Sequence, residues 1–71
     1  MTLQEFLDKE YTIEEQQKID YINAFNKNIT SLENDGNLIN VKSLNIRGNK
    51  LKSLKGIELI PNLEIIRLYN N

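Results

Sequence analysis

The nine residues from Val41 to Asn49 and the nine from Leu63 to Asn71 can be written one above the other with every apolar position and the closing asparagine in register. Val41, Leu44, Ile46 and Asn49 fall on Leu63, Ile66, Leu68 and Asn71, an offset of 22 residues. Between the two lines run Leu51, Leu54, Gly56, Ile57, Ile60 and Pro61. The same offset applied backwards sets Ile29 on Leu51, Leu32 on Leu54, Leu38 on Ile60 and Val41 on Leu63, so a degraded earlier unit precedes the two clear ones. It departs from them where Ala24 stands for a large apolar residue and Lys27 for the asparagine. A constant long period narrows the choice of fold, because no single unit buries its own apolar face and each must stack on the next along the same path.

Within a unit, Leu44 and Ile46 alternate with Asn45 and Arg47, the period of a strand with one buried face. Strands are predicted at about 43–47 and 65–69, and a fixed period pairs them in parallel. Asn49 and Asn71 then stand at the bend after each strand, where a side-chain amide can bond turn backbone that the sheet leaves unpaired. Gly48, Gly56 and Pro61 suit the bends.

The form apolar-x-x-apolar-x-apolar-x-x-Asn resembles the leucine-rich repeat family, specifically its short cytoplasmic subclass with 22-residue units, over about residues 29–71. That resemblance implies a right-handed coil with parallel strands on a concave face and tight or short helical turns on the convex one. It also implies a protein-binding scaffold.

Two helix starts precede the repeats. Thr2 stands three residues before Glu5, and Thr12 three before Glu15, each fitting a capping box ahead of an apolar stripe. Leu3, Phe6, Leu7 and Tyr11 share a face after the first; Ile13, Ile19, Ile22 and Phe25 line up less completely after the second. The pattern predicts two helices, at 3–10 and 13–26. The fold class is therefore α/β: a leucine-rich repeat solenoid of about two to three units with short parallel strands, preceded by a two-helix cap. It forms one domain over 1–71, with the helical cap at 1–28 and the repeats at 29–71.

The chain has neither cysteine nor histidine. Disulfides, thiolate nucleophiles, Ser-His dyads and the common zinc and transition-metal ligand sets are thereby excluded, so no catalytic residue, metal or cofactor is expected. The acidic start around Glu5 and Asp8 is not that of a signal peptide, and no stretch is apolar enough to span a bilayer. A cytoplasmic setting without membrane association follows as the expectation.

The formal charge of -1 hides a division. Residues 1–40 carry eight acids against three bases, and residues 41–71 carry six bases against two acids. The outward positions of the two strands, Ser43, Asn45 and Arg47 with Ile65, Arg67 and Tyr69, are the candidate partner-binding residues, since Arg and Tyr are common interface anchors. The Arg47–Tyr69 column also suits a cation–aromatic contact. Lys42, Lys50, Lys52 and Lys55 form a basic cluster, but without interleaved aromatics they read as a solvated face rather than a nucleic-acid site. Leu63, just before the last strand, and Ile66 and Leu68 within it are the candidate self-association residues, since the open edge of that strand invites a homodimer or another partner. The functional expectation is a non-catalytic protein-binding module acting through the concave sheet and that edge, with a small inhibitor or adaptor as its sharper form. The alternative is the N-terminal capping part of a larger repeat protein, with a purely structural role.

Overall fold

A computed structural model describes the whole chain, Met1 to Asn71. Both capping boxes form, opening α1 (Leu3–Glu10) and α2 (Ile13–Lys18). In each, the threonine hydroxyl accepts the N–H of the glutamate at 3.1 Å, and the glutamate carboxylate accepts the threonine N–H at 2.8 Å. Two otherwise orphaned donors are satisfied at each helix start. α1 buries Leu3, Phe6 and Leu7, with Tyr11 packed at the margin of the core.

The second helix is shorter than the expected 13–26. It ends at Lys18, Ile19 is extended (φ -67°, ψ 147°), and Tyr21–Asn23 form strand β1 within the segment expected to be helical cap. Ile22 and Ala24 are fully buried while Tyr21, Asn23 and Phe25 are exposed, which is the alternation of a strand. A helix there would have buried Ile13 and Phe25, both about half exposed here. Pairing with the next strand satisfies this backbone and outweighs the weak helical stripe.

β1, β2 (Ser43–Asn45) and β3 (Ile65–Arg67) form one parallel sheet in the order β1-β2-β3. Tyr21 pairs with Ser43 and Ser43 with Ile65; Ile22 pairs with Leu44 and Leu44 with Ile66, so each step advances 22 residues. Backbone bonding continues past the regular strands. Asn26 N–H donates to the Arg47 carbonyl at 2.9 Å and Gly48 N–H to that of Tyr69 at 2.9 Å. β2 and β3 thus lie where the alternation placed them.

The bend after each strand repeats too. Asn26, Gly48 and Asn70 occupy one register position and all adopt left-handed backbone, with φ of 57°, 70° and 61°. Glycine and asparagine are the residues that enter this region at least cost. Beside the bend, Asn49 Oδ1 accepts the N–H groups of Lys27 and Ile29, and its Nδ2 donates to the Ala24 and Ile46 carbonyls. Asn71 repeats three of these four bonds, accepting from Leu51 and donating to Ile46 and Leu68. On the far side, Asn40 and Asn62 donate to the Gln17 and Ile39 carbonyls. The return path there is a single 3₁₀ turn, Ile57–Leu59, entered through Gly56.

The core joins Leu3, Phe6 and Leu7 of α1 to Ile22, Ala24, Ile29, Leu32, Leu38, Val41, Leu44, Ile46 and Ile60. Equivalent positions one period later are less well covered. Val41, Leu44 and Ile46 are fully buried, whereas Leu63, Ile66 and Leu68 are only partly so; Leu32 is fully buried, whereas Leu54 is 41% exposed. The residue types match, so the difference is one of position: the helices close one end of the stack, and in the single chain nothing lies over the other.

Candidate functional site

The face of the sheet turned away from the core is a grid of nine positions. Its three rows are Tyr21, Ser43 and Ile65; Asn23, Asn45 and Arg67; and Phe25, Arg47 and Tyr69. Tyr21, Phe25 and Ile65 are each about half exposed and Tyr69 is 73% exposed, so the large side chains on this face project into solvent. Arg47 and Arg67 are exposed between them.

The six residues singled out from the sequence do not contribute equally. Arg47, Ile65, Arg67 and Tyr69 are accessible, and Ser43 is half-buried. Asn45 is buried and engaged: its Nδ2 donates to Asn23 Oδ1 at 3.2 Å, and its Oδ1 accepts from the Arg47 backbone N–H at 3.2 Å and from Arg47 Nε at 3.1 Å. It positions Arg47 and leaves the contact surface to its neighbours.

Arg47 makes its aromatic contact with Phe25, whose ring centroid lies 5.5 Å from the guanidinium carbon, and not with Tyr69 as the column suggested. Asn45 Oδ1 holds Nε, and the guanidinium lies over the β1-side ring, within the usual cation–aromatic range. Phe25 and Tyr21 fall within the segment whose apolar spacing predicts a helix, which hides their place on this face. The offset that aligns the repeats is the signal that finds them, because they stand one period before Arg47 and Ser43.

β3 is an edge strand. The Arg67 and Tyr69 carbonyls accept from Ile46 and Gly48 of the neighbouring strand and its extension, so parallel alternation turns the backbone of Ile66 and Leu68 outward. The Leu68 carbonyl is partly occupied by Asn71 Nδ2 at 2.9 Å. Leu63, Ile66 and Leu68 lie half-buried beneath this edge, packed against the core rather than standing free.

Lys42, Lys50, Lys52 and Lys55 are exposed and lie outside the nine-position grid. Lys55 lines a shallow cleft of about 240 Å³ with Ser31, Asn34 and Ser53 on the return side of the chain. No group of three or more Asp or Glu side chains is arranged to hold a metal ion, and no helix is long and apolar enough to cross a membrane. No protein-family model, curated protein or solved structure matches this chain.

Proposed function

We propose that this chain is a non-catalytic protein-binding module of the leucine-rich repeat kind, a solenoid of about two to three units that grips its partner with the exposed sheet face and the β3 edge. The observation that carries the reading is the grid itself. Four large apolar or aromatic side chains and two arginines are raised on one regular sheet, about half exposed or more where they are aromatic or aliphatic. Such side chains dominate interface energetics, and a sheet holds them at low entropic cost. A small inhibitor or adaptor that masks a partner's surface is the form of activity that suits a face of this size.

The test is affinity capture in the native host with the wild-type chain and with the double variant Arg67→Glu plus Tyr69→Ala. Loss of a captured protein on the double variant supports the reading; unchanged capture removes it. A second reading, the N-terminal capping part of a larger leucine-rich repeat protein with a purely structural role, is favoured by the graded burial of Leu63, Ile66 and Leu68. It is distinguished by a face variant that changes no binding at all.

A further inference from the structure

We infer that the occupant of the sheet face is an acidic protein segment, one that presents two carboxylates to Arg47 and Arg67 between aliphatic or aromatic side chains. The inference rests on the protein-binding reading above and adds the chemistry of the partner.

Among the nine grid positions there are two cations and no anion. Arg47 is restrained from two sides, by the Phe25 ring and by the neutral amide oxygen of Asn45, yet neither contact compensates its charge. Its terminal amino groups are left for a planar, two-pronged acceptor, and a carboxylate is the protein group of that shape. Holding the guanidinium in place before binding lowers the ordering cost of the contact. Arg67 makes no side-chain hydrogen bond within the chain, so its fork is likewise open.

Arg47 and Arg67 stand on neighbouring strands, two positions apart in register. Strand spacing and rise place their Cα atoms about 8 Å apart. Long side chains let that pair meet two acids on one face of a helix or two alternate acids on an extended segment. Around them, Tyr21, Phe25, Ile65 and Tyr69 supply apolar surface that a purely acidic tract would leave wet. A polyphosphate backbone fits less well. The face offers two charges rather than a track of them.

The experiment selects a random-peptide phage library on the full chain alone and then measures each recovered peptide against wild type and against Arg47→Gln plus Arg67→Gln. A thermal melt establishes that the double variant folds, and Arg67→Gln alone, which breaks no internal hydrogen bond, serves as the milder variant. The expected peptides carry at least two Asp or Glu beside Leu, Ile, Phe or Tyr. They bind the double variant about tenfold more weakly, bind Lys55→Gln as tightly as wild type, and weaken with salt. Face-dependent peptides without acid enrichment overturn the acidic partner and leave the binding face standing. Peptides that do not distinguish the arginine variants from wild type overturn both. An oligothymidylate that displaces the peptides at lower concentration than they bind overturns the assignment in favour of nucleic acid.

Discussion

Asn49 Oδ1 accepts the backbone N–H of Ile29 at 2.9 Å, across 20 residues of chain, and the same oxygen accepts that of Lys27. One buried side chain therefore closes the bend of its own unit and of the unit before it. Asn49→Ala leaves several buried backbone groups without partners, at about 1–3 kcal/mol each. The whole stability of a chain this short is about 5 kcal/mol, so the variant is expected to be largely unfolded by circular dichroism at 25 °C. Asn71→Ala, at the exposed end of the same ladder, is expected to cost about 1 kcal/mol in a urea titration.

Gly56 enters the 3₁₀ turn at φ 108°, and a Cβ there would lie 2.5 Å from the Leu32 carbonyl oxygen. Both the backbone angle and the contact oppose a side chain, and the contact is with main chain that cannot swing aside. Gly56→Ala is expected to destabilise by about 2 kcal/mol or more. Gly36, also at positive φ (81°), has nothing within 4 Å of its Cβ position, so Gly36→Ala is expected to cost about 1 kcal/mol, the backbone penalty alone. Similar losses at the two sites would show that the Leu32 contact is not the cause.

The Glu5 carboxyl is held below its ordinary value of 4.5, first by the Thr2 N–H that it accepts, with further help from the Thr2 hydroxyl. The folded state thus binds this proton less readily than the unfolded one, and the stability it contributes is present above 4.5 and lost as pH falls through the lowered value. Glu5→Gln is expected to flatten the acid limb of a pH–stability curve. Tyr11 is shifted the other way, raised from 10.0 chiefly by burial, so stability is expected to decline as pH climbs past 10.0. Tyr11→Phe removes that decline; its persistence would assign it elsewhere.

Self-pairing through β3 is expected to appear as a melting temperature that rises with protein concentration. A strictly monomeric, well-folded species by light scattering at high concentration excludes the homodimer. The face substitutions Arg67→Glu and Tyr69→Ala are expected to change stability by no more than about 0.5 kcal/mol, since both side chains are exposed. A larger loss would mean that they support the sheet and would disqualify them as binding probes.

Much of the parallel sheet is legible in the amino-acid order, because Leu44, Ile46, Ile66 and Leu68 carry both a strand period and the longer one. The helix starts are legible for a local reason: a capping box needs only a threonine and a glutamate three residues apart. β1 is not. Ile19, Ile22 and Phe25 imitate a helical stripe, Ala24 weakens the strand pattern, and the partner that settles the matter, Ser43–Asn45, is distant in the chain. The face suffers in consequence, losing Tyr21 and Phe25. Alternation alone also counts Asn45 as free, since a period of two gives direction but says nothing of the hydrogen bonds a side chain finds on arrival.

Asn26, Gly48 and Asn70 turn the backbone to the same left-handed angle at equal intervals, and every staple between units spans nearly that interval. A one-residue insertion between two of these bends would change by one the separation of every pairing that crosses it and leave the others untouched. Copying the 22 residues that separate two equivalent bends would instead preserve every one of those separations.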